Sequence, residues 1–165
     1  MHRQLGPLDP GGSDPQSRAC GPIYGLFGRQ PSARYPQSLA IACLSQRGFP
    51  VDGLRSKSWD VFAGPDAPKM DIVITVCDAA AGESCPLWPG APVKAHWGIP
   101  DPAGVPGGTG AERAAFAQAH DRLLARMQAL VALPVETLTA DDLRSRMQEI
   151  AQMEGATHLA QQGGG

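Results

Sequence analysis

The sequence predicts an α/β fold with a parallel sheet, and three observations carry that expectation. The run 70–77 (MDIVITVC) is rich in β-branched residues and nearly continuous in apolar character, as in a parallel strand covered on both faces. The segments 36–48 and 111–133 repeat apolar residues at helical spacing. Short strand, helix, strand, loop and long helix then follow one another in the order that βαβ units require.

With 165 residues, the chain has room for one domain with an ordinary core, and a formal net charge of -2 gives no electrostatic reason to expect nucleic acid or an acidic membrane as partner. No apolar run approaches the length of a membrane span, and no basic segment followed by an apolar one opens the chain, so a cytoplasmic location is expected. Four cysteines, Cys20, Cys43, Cys77 and Cys85, are then expected to stay reduced, with any disulfide transient and functional.

Residues 1–36 hold 6 Gly and 6 Pro with neither apolar period, so 1–21 is expected to be disordered coil, with folding beginning after it in a short strand at 22–27. The helix PQSLAIACLSQRG has Pro36 in its first turn, Leu39, Cys43 and Leu44 on one face, and Gly48 as its stop. Cys43 is a core residue on this pattern. After the strand at 70–77, residues 86–110 hold 6 Pro and 6 Gly around sparse apolar clusters, of which 93–97 forms a short strand. In the long helix, Phe116, Leu123, Leu124, Met127, Leu130 and Val131 share the apolar side, with His120 beside them. A last helix starts at Thr139, whose hydroxyl caps the amides of Asp141 or Asp142, and carries Leu143, Met147 and Ile150 inward. The tail HLAQQGGG is expected to fray.

Parallel sheets place chemistry at the carboxyl ends of their strands, and Cys77 stands at such an end. Cys77 and Cys85, eight positions apart around a Gly-containing loop, are either a small core residue and a loop thiol or a redox couple whose loop folds back on itself. Zinc does not suit that spacing, which lacks a second Cys or His pair. In HWGIPDP, Asp101 is held between two prolines, either as turn chemistry or as a proton donor to a leaving group. His96 and Trp97 either shape such a site or are core residues, Trp97 with its indole satisfied. Arg55 and Lys57 in GLRSKSWDVF are solvated cations or an anion site, and His120 is a half-buried helix residue or a ligand.

Together, GRQPSARYPQSLA, GLRSKSWDVFAGPDAPKMDIVITVCD, SCPLWPG and HWGIPDPA resemble the arsenate reductases built on the low-molecular-weight tyrosine phosphatase fold. The resemblance implies a three-layer α/β domain with a four-stranded parallel sheet, here lacking its first strand and first helix. It divides the chain into a non-native or disordered stretch at 1–27, an incomplete reductase-like domain at 28–133, and a C-terminal helix with a flexible tail at 134–165. In that family a Cys-x5-Arg-Ser/Thr loop binds arsenate or a phosphate-like oxyanion and its cysteine attacks arsenate. A later cysteine pair then resolves the adduct as a disulfide, which thioredoxin or a glutaredoxin-type reductant reopens. Carried over by motif, Cys77 and Cys85 resemble the resolving pair and Asp101 the general acid of the phosphatase relatives; no cofactor or metal is implied. A phosphatase needs only the loop cysteine and the acid, so the pair separates the reductase expectation from a phosphatase-like one, and a non-catalytic binding remnant is the third.

The oxyanion loop itself has no counterpart here, since Cys20 is followed by GPIYGL and Leu26 stands where the arginine belongs. The genetic code accounts for this. Methionine is ATG and histidine codons begin with C, so reading Met1 and His2 one base later yields cysteine. Continued through Leu8, the same register permits Cys-Thr-Gly-Asn-Ser-Ala-Arg-Ser, the family's loop. The expectation is that residues 1 to about 30 are an out-of-register translation, with register restored near Gln30 or Pro31.

Overall fold

A computed structural model describes residues 38–54, 58, 62, 66–67, 69–78 and 93–162. Two parallel strands and four helices are the elements described. They run in the order α1 (Ser38–Gln46), β1 (Ile72–Thr75), β2 (Val93–His96), α2 (Gly108–Val131), α3 (Ala140–Ala151) and α4 (His158–Gln161). The α/β expectation holds in this mixed form. The strand predicted at 22–27, and Arg55, Lys57 and Cys85, lie outside the described residues.

Helix α1 ends as its sequence requires. Gly48 takes φ 78°, open to a residue without Cβ, while its amide donates to Ser45 O at 3.0 Å and the Phe49 amide donates to Leu44 O at 3.0 Å. Those two bonds satisfy carbonyls that the helix end leaves open. Cys43 is buried, as its place on the apolar face predicts, and α1 packs on α2.

Strands β1 and β2 pair in parallel with Ile72 opposite Val93, Val73 opposite Lys94, Ile74 opposite Ala95 and Thr75 opposite His96. The ladder continues past the strands, with the Trp97 amide on Thr75 O at 2.8 Å and the Ile99 amide on Val76 O at 3.2 Å. Full cover of β1 on both faces is not seen: its four residues are half-buried, and Val76 is exposed. The better buried strand is β2, whose Val93 and Ala95 face a core completed by Trp97, Leu130, Met147, Ile150 and Ala151.

Helix α2 runs for 24 residues, about 36 Å at the usual rise. Its predicted apolar side is only partly covered, with Leu130 buried but Leu124, Met127 and Val131 exposed. Instead Arg126 is fully buried: one terminal nitrogen donates to Arg122 O at 3.2 Å, and the other to Met153 O at 3.0 Å and Glu154 O at 3.3 Å. Burial pulls this guanidinium below its ordinary pKa, and its Nε finds no protein partner. The carbonyls it binds follow α3, so Arg126 ties the two helices together.

Helix α3 starts where predicted. Thr139 Oγ1 accepts from the Asp142 amide at 3.1 Å and its hydroxyl donates to Asp142 Oδ2 at 2.7 Å, while the acidic pair Asp141 and Asp142 sits at the positive helix end. Met147, Ile150 and Ala151 are buried and Leu143 is half-buried. At 158–161 the chain forms α4, where fraying was expected. Thr157 Oγ1 accepts from the Ala160 amide at 3.4 Å, and Ala160 is completely buried. The Thr157 amide also donates to Gly98 O at 3.0 Å, so the segment is anchored at both its backbone and its cap. No helix among the described residues is long and apolar enough to cross a membrane.

Candidate functional site

The carboxyl ends of β1 and β2 gather four polar side chains. Register places Thr75 directly opposite His96, and Thr75 Oγ1 lies 2.9 Å from His96 Nδ1. On the far edge of the ring, Nε2 lies 3.0 Å from Asp78 Oδ1, and the same oxygen accepts from the Thr157 hydroxyl at 2.7 Å. A carboxylate only accepts, so Nε2 carries the proton toward Asp78, and in the neutral ring Nδ1 accepts from the Thr75 hydroxyl. The imidazole is 4% exposed, whereas the Asp78 side chain is 46% exposed. The network thus runs from a buried ring to a carboxylate open to solvent.

This convergence depends on Gly98. A Cβ there would stand 2.5 Å from both Asp78 Oδ1 and His96 Nε2 and would also collide with Thr157 Oγ1. Only a residue without a side chain lets the three polar atoms meet at the strand ends.

The sequence-predicted residues fall around this network unevenly. Cys77 sits between Val76 and Asp78, half-buried, and is joined by disulfide to no described residue. Cys85, predicted as its partner, lies outside the described residues. Asp101 is exposed, and its Oδ1 accepts the Ala103 amide at 2.9 Å, an Asx turn of the kind its flanking prolines favour. Trp97 is 1% exposed, with its indole N–H donating to Met147 O at 3.2 Å, so it serves the core. His120 stands against Phe49, ring centroids 5.5 Å apart, with its Nδ1 2.9 Å from Asp121 Oδ1. The structure therefore brings His96 to the end of the strand that leads to Cys77, and leaves Asp101 engaged in its own turn.

Asp78, Thr75, Thr157 and Gly98 were not legible as site residues. A single signal pointed to Asp78, its place directly after the strand-end Cys77. Thr157 lies 79 residues further on, and no local pattern couples it to the sheet.

Two other polar arrangements lie on the helices. Arg47 donates to Cys43 Sγ at 3.0 Å and to Asp121 Oδ1 at 3.2 Å, beside a cavity of about 40 Å³ between α1 and α2 that Cys43, Arg47, Arg113 and Ala117 help to line. The Asp121 carboxyl is held below its ordinary pKa, chiefly by its bond to His120, with loss of hydration opposing the shift and the bond and charge of Arg47 adding to it. Among the described residues, no three His, Cys, Asp or Glu side chains gather as a metal-ligand set.

Chemically, Cys77 stands at the end of a parallel strand, next in sequence to a carboxylate held by two hydrogen bonds; a thiol so placed exchanges only with a second thiol or an electrophile that reaches its sulfur. Comparison of the chain with protein-family models and with curated proteins found no match.

Proposed function

We propose that the chain belongs to the arsenate reductases of the low-molecular-weight phosphatase fold, with Cys77 and Cys85 as the thiol relay, and that as written it does not turn over arsenate. In this reading the β1–β2 pair is part of a four-stranded parallel sheet within a three-layer domain, and the protein works in the cytoplasm. The supporting observation is the placement of Cys77 just past the carboxyl end of a strand with a parallel neighbour, the location where such sheets do chemistry. The loop after that neighbour carries Asp101, the residue resembling the general acid.

The reaction of an intact relay balances as a two-electron exchange. Arsenate loses one oxygen as water and becomes arsenite, two thiols give up two protons and two electrons, and one S–S bond forms. A thioredoxin- or glutaredoxin-type dithiol then returns the pair to thiols. Inactivity follows from the sequence: no cysteine of the 165 residues has an arginine six positions later, so no guanidinium stands in the anion loop to hold a tetrahedral oxyanion.

The test has two parts. Oxidation of the purified chain with diamide followed by peptide mass mapping is expected to give a Cys77–Cys85 disulfide; thiols persisting at both positions refute the relay. Arsenate-dependent consumption of thioredoxin reducing equivalents is expected to be absent in this chain. It should appear when residues 1–30 are replaced by their translation one base out of register, preceded by the upstream codons of that frame. A repaired chain that forms the disulfide yet leaves arsenate unreduced defeats the arsenate assignment.

A further inference from the structure

One ring holds the chain on both sides of Cys77. Thr75, two residues before the cysteine, bonds His96 Nδ1 at 2.9 Å, and Asp78, the residue after it, bonds His96 Nε2 at 3.0 Å. The backbone between is pinned as well, by the Trp97 amide on Thr75 O at 2.8 Å and the Ile99 amide on Val76 O at 3.2 Å. His96 is itself buried, 5% exposed, in a strand whose Val93 and Ala95 enter the core. Thr157 adds a second donor to Asp78 Oδ1 at 2.7 Å.

We infer that His96 is a positioning residue for the Cys77 thiol, fixing its place by bracketing it between Thr75 and Asp78. The inference rests on the reading of Cys77 as a relay thiol and adds to it the group that orients that thiol. In thiol–disulfide exchange the attacking sulfur must meet its target nearly in line, and a sulfur on a fixed backbone has already lost the freedom that the encounter would otherwise remove. A buried imidazole needs a partner for each nitrogen, and here the two partners lie on either side of the thiol, two residues before it and one after it.

The inference is tested on the full chain in buffers of reduced and oxidised glutathione, with the Cys77–Cys85 disulfide quantified by peptide mass. In this exchange both protein thiols lose their protons and two electrons pass to oxidised glutathione. Its S–S bond breaks to two glutathione thiols as the protein S–S bond forms. His96→Phe, which keeps a ring and removes both bonds, is expected to shift the equilibrium at least tenfold toward the dithiol. Thr75→Val, which keeps the branched shape and removes the hydroxyl that bonds Nδ1, should shift it about threefold. A His96→Phe equilibrium within twofold of the parent overturns the inference while leaving the relay intact. If His96→Phe does not fold, Thr75→Val decides, and an unchanged equilibrium in that variant overturns it equally. If the parent chain forms no Cys77–Cys85 disulfide in any buffer, the relay itself fails. Positioning is then judged by the rate at which iodoacetamide alkylates Cys77 at fixed pH. Release of the bracket should lower that rate at least fivefold in Thr75→Val, because the in-line approach to the electrophile is no longer pre-set, and an unchanged rate overturns the inference.

Discussion

Replacing Gly98 with alanine is the most direct probe of the strand-end network. The new Cβ would lie 2.5 Å from Asp78 Oδ1 and from His96 Nε2, where ordinary contact begins near 3.4 Å. Each atom must retreat by roughly an ångström, beyond what a hydrogen bond tolerates. The bonds at stake are His96 to Asp78 at 3.0 Å and Thr157 to Asp78 at 2.7 Å, both charge-assisted. Because Asp78 is half exposed, each is placed at the low end of the range, about 1.5 kcal/mol, and displacement of the Thr157 cap adds about 1 kcal/mol. The expected loss is about 4 kcal/mol, a large share of the 5–15 kcal/mol typical of a domain. In urea, with a slope of about 2 kcal/mol per molar, the midpoint should fall by about 2 M at unchanged slope. Gly104→Ala is the control. Gly104 has φ 72° with nothing within 4 Å of a built Cβ, so its cost is the left-handed backbone alone, about 1 kcal/mol. A Gly98→Ala loss no greater than that of Gly104→Ala would refute the network as drawn.

Two further predictions concern the helices. Met147→Ala removes a fully buried side chain from the centre of the core and is expected to cost about 2–5 kcal/mol in urea unfolding. Asp121→Asn removes a carboxylate whose folded pKa is depressed from 3.8 by His120 and Arg47, so its contribution is present above the unfolded value and lost as pH falls through the folded one. The variant should therefore melt below the parent at neutral pH. That difference should close once the pH lies below the folded carboxyl's titration, and screening by salt should shrink it.

How much of this was legible depended on the range of each interaction. The stop of α1 at Gly48, the Thr139 cap and the inward Met147 and Ile150 are written within a few residues, in turn chemistry and period, and the sequence predicted each. The strands at 72–75 and 93–96 were legible from β-branched and apolar runs, and their parallel sense from the fold class. Arg126 was not, because helical periodicity sorts residues by polarity, whereas this guanidinium is buried by the carbonyls that follow α3. The helix at 158–161 was missed because a Gly-rich ending suggests fraying and says nothing of Gly98, whose carbonyl anchors Thr157. Of the candidate site, Cys77 was visible from its place at the strand end, and the partners of His96 depended on a strand register that no single segment encodes.

The bond between Thr157 and Asp78 closes a span of 79 residues, against four for the bond from Arg126 to Arg122. Closing a long loop loses chain entropy before any contact returns it, so short-range helix contacts form early and the strand-end network late. A contact absent from the transition state leaves the folding rate nearly unchanged and speeds unfolding when it is lost. The cluster at the strand ends is thus a kinetic fastener: it governs how long the native chain persists once formed, while α2 and α3 govern how quickly it is reached.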